Sequence, residues 1–276
     1  MKNPRINLLK KNSKFYKLDF GINETEQSED FYTLILLAVL AGFKGIDIFA
    51  NENIIKIAND AIIQAKKKST ELNIEINHDP LLCASFGMSL ISNLEKNKIY
   101  KKVEFLKEPS IDVIDVHLNE IDFSSNMKKI DLVCDFFKEK IISLNLSRKI
   151  LSNAHIVDLL EACFIYTSKN IIVEVEGLQF YENNFSHILQ TISTADIINK
   201  QFLQKSPKYK RVPIIFGDCK NREIEKLALK CNVPFNGLSF NSHEMRNILK
   251  NKSFPLSDEE INLSLNKIKS NLIYSN

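Results

Sequence analysis

Two apolar runs of the chain carry ionisable side chains at every second position, which puts acid–base groups together on one face of a strand. Ile111–Leu118 reads IDVIDVHL and Asn170–Glu176 reads NIIVEVE. Successive side chains of a strand point to opposite faces. Ile114 and Val116 therefore share one face and leave Asp115 and His117 on the other, while Ile171, Val173 and Val175 leave Glu174 and Glu176. In a closed barrel the more apolar set turns outward to the helices and the remainder lines the interior. Asp19, Asp47, Ser143, Asn145, Ser239 and Asn241 fall inward by the same rule.

Inward carboxylates are expensive unless they are paired or reach the solvated mouth at the C-terminal strand ends, where barrel enzymes keep their chemistry. His117, Glu174 and Glu176 are the candidate catalytic residues. Glu176, at a strand end, suits acid–base work or a bound cation together with Asp218 and His117, and Glu174 lies deeper. Asp47, Asn145, Asp218, Lys220 and Arg246 are the candidate ligand contacts. The same residues read equally well as buried hydrogen-bonding ties in a barrel that binds nothing.

Other chemistries find little support. No G-x-G-x-x-G, Walker loop or G-x-S-x-G occurs. A phosphate site wants glycine-rich turns after the last two strands. Here the turns are Gly217-Asp218-Cys219-Lys220 and Asn241–Arg246, where Gly217, Lys220 and Arg246 favour an anion and Asp218 and Glu244 repel it. Cys83, Cys134, Cys163, Cys219 and Cys231 are odd in number and include no C-x-x-C pair. No metal site and no cofactor is expected, and a reducing compartment is. Cys134 and Cys163 lie on apolar helix stripes as core residues. His155, His187 and His243 stand alone near helix starts, as caps or surface groups.

The elements that must position these residues alternate strand and helix. Strands are expected at Lys17–Ile22, Gly45–Ala50, Ile111–Leu118, Lys140–Leu146, Asn170–Glu176, Arg211–Phe216 and Phe235–Asn241. A third unit opening at Asn73–His78 is irregular, because Pro80 interrupts it. Ser28 caps a helix running to Gly42, and further helices carry apolar stripes: Ile54, Ile57, Ala58, Ala61, Ile62, Ala65; then Met127, Ile130, Cys134, Phe137; Ile156, Leu159, Leu160, Cys163; Ile188, Leu189, Ile192, Phe202; and Ile224, Leu227, Ala228. About eight such units make a (β/α)8 TIM-type barrel, whereas an open doubly wound sheet has about five or six. Ser257 and Glu260 form a capping box for an extra C-terminal helix seamed by Ile261, Leu265, Ile268 and Leu272.

A single barrel domain over residues 17–276 follows, preceded by a basic arm over residues 1–16, in a stretch where Lys2, Arg5, Lys10, Lys11, Lys14 and Lys17 precede the first acid, Asp19. With 276 residues, 44% of them hydrophobic and 26% charged, the chain can bury a core without disulfides or metal. The longest apolar run, Leu34–Leu40, is far short of the roughly twenty residues a membrane-spanning helix needs. The first residues lack the apolar stretch of a secretory signal, so a cytoplasmic protein with no membrane partner is expected. The net charge of +3 and the lack of an aromatic-plus-basic stripe make nucleic acid an unfavoured partner.

The order of several segments resembles the cyanobacterial light-dependent period protein family, LdpA. They are LAVLAGFKGIDIFANENIIKIANDAI at Leu37–Ile62, NHDP at Asn77–Pro80, IDVIDVHL at Ile111–Leu118, TISTADIINKQF at Thr191–Phe202, PIIFGDCKN at Pro213–Asn221 and FNGLSFNSHEMRNIL at Phe235–Leu249. The resemblance implies a barrel protein that carries ferredoxin-type clusters and passes redox state to a circadian clock, with regulatory or clock proteins as partners. Between Pro80 and Ile111, where that family's cysteine-rich segment would stand, this chain has only Cys83, and a cluster needs about four thiolates. A non-catalytic regulatory or scaffold protein without iron–sulfur clusters is the leading expectation. The alternative is a small-molecule-binding or acid–base barrel enzyme working at the C-terminal mouth on an unidentified ligand.

Overall fold

Runs rich in Ile, Val and Leu, buried on both faces, are the sequence form of parallel strands covered by helices. In a computed structural model eight of them close into a parallel barrel: β1 (Phe15–Asp19), β2 (Gly45–Phe49), β3 (Leu81–Gly87), β4 (Val113–Leu118), β5 (Ile141–Leu146), β6 (Ile171–Val175), β7 (Ile214–Cys219) and β8 (Gly237–Asn241). Each pairs with the next, and β8 pairs with β1. Helices follow the strands: α1 (Ser28–Ala41), α2 (Glu52–Glu71), α3 (Phe123–Phe136), α4 (Glu223–Lys230), α5 (Ser242–Leu249) and α6 (Asp258–Ile268). The chain is a (β/α)8 TIM barrel. The structure describes residues 14–20, 28–76, 78–87, 103–118, 123–146, 171–175, 213–219, 222–233, 235–249 and 256–273, with 193, 197 and 200. Most of the basic arm and the helical stripes at Ile156–Cys163 and Ile188–Phe202 lie outside the described residues, as do His155 and His187. Among the described residues no helix is long and apolar enough to cross a membrane.

Four strands differ in position from the sequence expectation. β1 begins at Phe15, not Lys17, so Phe15 and Tyr16 are barrel residues and not part of an arm. The third strand is Leu81–Gly87 and not Asn73–His78. The reason lies in how α2 ends: Asn73 takes the left-handed conformation (φ 55°), and the Ile74 N–H donates to the Ser69 carbonyl at 2.8 Å. The strand starts directly after Pro80, which has no N–H to give. β7 and β8 are also shifted, to Ile214–Cys219 and Gly237–Asn241.

Local signals explain the helix ends. α1 begins at Ser28 itself and stops at Gly42 (φ 99°), whose following residue Phe43 donates to the Ala38 carbonyl at 3.0 Å. Asn51, not singled out from the sequence, caps α2 by accepting from the Asn53 and Ile54 N–H groups. The expected box of Ser257 and Glu260 caps α6, which packs on α1 and α5. Buried Glu225 of α4 holds both Lys14 and Arg222, and Arg222 donates to the Ile273 carbonyl at 2.7 Å, tying the start of β1 to the end of the described chain.

Two apolar layers result. The larger lies between strands and helices and contains Ile114, Val116, Leu144 and Val173. The smaller is the barrel floor, built by Phe15, Leu81, Cys83, Val113, Ile141, Ile172 and Ile215. Phe15 fits because both flanking strands offer glycine beside it: Gly237 pairs with it and a Cβ there would stand 1.9 Å from the Phe15 carbonyl oxygen, while Gly45 pairs with Lys17 and a Cβ there would stand 2.6 Å from Phe15 Cζ.

The two glycines should respond differently to alanine. Gly237→Ala meets backbone and should cost about 3 kcal/mol or more, whereas Gly45→Ala meets a ring tip and should cost about 1–2 kcal/mol. Adding Phe15→Leu should relieve the second clash and not the first, read as coupling in a urea double-mutant cycle.

Candidate functional site

Above the floor the interior becomes ionic. Lys17 on β1 extends into the barrel and its ammonium donates to Asp47 Oδ2 at 2.6 Å and Asp115 Oδ2 at 3.0 Å, with Glu174 Oε2 at 2.5 Å. These four groups come from β1, β2, β4 and β6, and none is more than 2% exposed. Ser85 of β3 donates to the other oxygen of Asp47 at 2.6 Å. One inward step higher, His117 of β4 stands beside Asn145 of β5, with Asn145 Nδ2 at 3.2 Å from His117 Nε2. Asn145 is in turn the lateral neighbour of Glu174. His117 is half-buried, so the polar column runs from a dry base towards the mouth.

The alternation on β4 and β6 places these side chains as the sequence rule requires: their outward neighbours pack on the helices and they face one another. Burial pulls the Lys17 pKa down, but the carboxylates of Asp115, Asp47, Glu174 and Asp19 more than offset it and hold the ammonium well above its ordinary 10.5. Burial likewise raises Asp47, yet Lys17 and hydrogen bonds from Asp115, Lys17 and Ser85 bring it below 3.8. Asp115 moves the opposite way, raised well above 3.8 by burial and by its anionic neighbours Asp47 and Glu174. Asp115 and Asp47 thus respond in opposite directions to the same cluster.

This arrangement weighs against two kinds of nucleophile among the described residues. A lysine nucleophile must be neutral, and Lys17 is locked as an ammonium. Burial pushes the Cys83 and Cys219 thiols far up and that of Cys134 to about 12, so none offers a thiolate. Asp47, Asp115 and Glu174 bring one oxygen each within 4.8 Å of one another, the spacing of a cation site. Lys17 bonds to all three, so an internal ammonium supplies the charge a metal would bring.

Of the sequence candidates, Asp47, His117, Asn145 and Glu174 come together. Glu174 is buried, 1% exposed, and paired with Lys17. Asp218 is half-buried at the end of β7, in the left-handed region (φ 54°) where the β7–β8 register shifts. Arg246 is half-buried on α5, and His243 is exposed with its N–H on Asn241 Oδ1. These residues occupy the β7–β8 arc, across the barrel from His117 and Asn145. Glu176 and Lys220 lie outside the described residues. Lys17 was not among the candidates, although it shares the inward face with Asp19 two residues on. Ser85 was hidden by the misplaced third strand.

Removing the ammonium tests this assignment. Lys17→Met should cost about 3–5 kcal/mol, the usual result of leaving buried charges unpaired. Without Lys17 the carboxyls of Asp47 and Glu174 should rise above their unfolded values, so the folded variant binds more protons than the unfolded chain and its stability falls as pH rises. Its deficit in urea denaturation should then be smaller at pH 5.5 than at pH 8. In the wild type, the Asp47 contribution is present above its unfolded value and disappears only as pH falls through its lower folded one. An equal deficit at both pH values would contradict the network.

No protein-family model matches the sequence, and no curated protein sequence matches it. Solved structures do match. Proteus mirabilis N-acetylneuraminate lyase is 10% identical with a TM-score of 0.51, the match covering 94% of this chain and 98% of that one. The carboxyl transferase domain of Rhizobium etli pyruvate carboxylase, solved with pyruvate, is 9% identical with a TM-score of 0.53, over 94% of this chain and 47% of that one. Octameric Rubisco from Pyrococcus horikoshii is 7% identical with a TM-score of 0.55, over 87% and 56%. The chain thus spans about half the length of the last two. At these identities the likeness is one of fold, and the chain shares its (β/α)8 barrel with them.

Proposed function

We propose that the chain is a small-molecule-binding barrel whose site lies at the C-terminal mouth along β4–β6, where half-buried His117 meets the ligand above the Lys17 network. The observation that carries this reading is the composition of the barrel centre. Four ionisable side chains, at most 2% exposed, stand where apolar residues would fill the space. Replacing a buried ionic cluster with well-packed hydrophobic side chains is often neutral or stabilising, so stability alone gives no reason for it. A preorganised charged base under a titratable imidazole is what binding or proton transfer at the mouth uses. His117 is the proton-moving group in this reading, Asn145 orients it, and Asp47 with Ser85 fixes the base beneath.

The non-catalytic regulatory reading, with regulatory or clock proteins as partners, has the segment resemblance to LdpA in its favour. It also draws on the internal closure of the network, in which Lys17 reaches all three carboxylates. A cytoplasmic location fits either reading, since the four described cysteines are all free.

Equilibrium dialysis of the purified protein against a metabolite extract, read by mass spectrometry, separates the two. The wild type should retain a small molecule that His117→Ala releases while keeping its thermal unfolding midpoint. Retention of nothing, or retention that ignores His117, would favour the regulatory reading.

A further inference from the structure

From the charge and hydrogen-bonding capacity of the β4–β6 wall we propose that the mouth site takes an organic cation, a primary ammonium or guanidinium group, whose N–H donors are received by the Asn145 side-chain carbonyl. This deepens the mouth-site reading and rests on it. Among the described residues four acidic side chains, Asp19, Asp47, Asp115 and Glu174, stand on the inward face of β1, β2, β4 and β6 against one strand lysine facing the interior, Lys17, while Asp218 and Arg246 share the far arc. A site of that sign lowers the energy of a cation and repels a phosphate or carboxylate ligand.

The second observation is independent of charge. Asn145 is fully buried, its Nδ2 faces His117, and its Oδ1 has no hydrogen-bond partner. The hydroxyl of Ser239, level with Lys17 on β8, is also fully buried and without a partner. A buried acceptor left unmade costs about 1–3 kcal/mol, and a ligand with N–H donors removes that cost.

The geometry also says which kind of cation. The position among Asp47, Asp115 and Glu174 is held by the Lys17 ammonium at 2.5–3.0 Å, and His117 is not within the 4.8 Å set of cation ligands. A metal would have to displace Lys17, whereas an ammonium above it needs only the free carbonyl of Asn145 and the field of Glu174 beside it. Guanidinium and ammonium groups bring the directional donors that a neutral amide oxygen favours.

Isothermal titration calorimetry with butylammonium and agmatine as probes, and inorganic phosphate and magnesium as contrasts, tests the inference at pH 7.5. At least one amine should bind once per chain. Asn145→Leu should weaken it about tenfold or more, the worth of one hydrogen bond to a charged group. Asn145→Asp, nearly isosteric and adding negative charge, should bind the amine at least as tightly and serves if the leucine variant fails to fold. Amine binding that ignores both substitutions would overturn the inference, as would the binding of neither amine. If phosphate or magnesium binds instead and Asn145→Leu abolishes it, or if the metabolite retained in dialysis has no basic nitrogen, the cation inference falls while the mouth site stands. If no probe binds and dialysis retains nothing, both fall.

Discussion

The interior of this barrel can be ionic because one ammonium reaches three strands. Lys17 leaves β1 and meets carboxylates from β2, β4 and β6, so a single side chain compensates charges that would otherwise be protonated or force the barrel to fill with water. The arrangement works only in a dry compartment, and the floor provides it. Phe15, two residues below Lys17 on the same strand face, seals the lower end against Leu81, Val113, Ile141, Ile172 and Ile215. One strand thus supplies both the plug and the counter-ion, and in the low dielectric above the plug the ion pairs are strong.

This layering separates two tasks within the same side chains. Asp47, Asp115 and Glu174 face the lysine and fix its position, while His117 and Asn145 sit one step nearer the mouth and are held against each other. The fixed base leaves the upper layer little freedom, which is how a rigid scaffold lowers the cost of binding. The upward shift of Asp115 belongs to the same design: with two anionic neighbours and one lysine, burial and like charge disfavour its ionised form.

Much of this was legible as period. Apolar residues at every second position of β4 and β6 mark the outward face so clearly that Asp115, His117 and Glu174 fall inward without ambiguity, and Asp47 follows from GIDIF. Lys17 was harder to see, because a lysine at the start of a strand reads as the end of a basic arm. Its burial is set by three acids, Asp47, Asp115 and Glu174, the farthest of them 157 residues along the chain, a tertiary fact with no local trace. The third strand was missed for a local reason. Asn73–His78 has the alternation of a strand, but the left-handed Asn73 and the position of Pro80 decide where pairing begins. The helix-end signal at Ser257 was legible because its side chain does the capping.

The seam between β1 and β8 gives the barrel a particular order of assembly. β1 has one edge for β2, which follows within a few tens of residues, and another for β8, which follows roughly two hundred residues later. During synthesis that second edge, with Phe15 and Lys17 beside it, waits unpaired while the rest of the sheet forms, and an open edge is a template for the wrong partner. Closure then brings Gly237 onto Phe15 with no room for a side chain. A nascent chain stalled before β8 would expose the edge of β1 that β8 covers in the finished barrel.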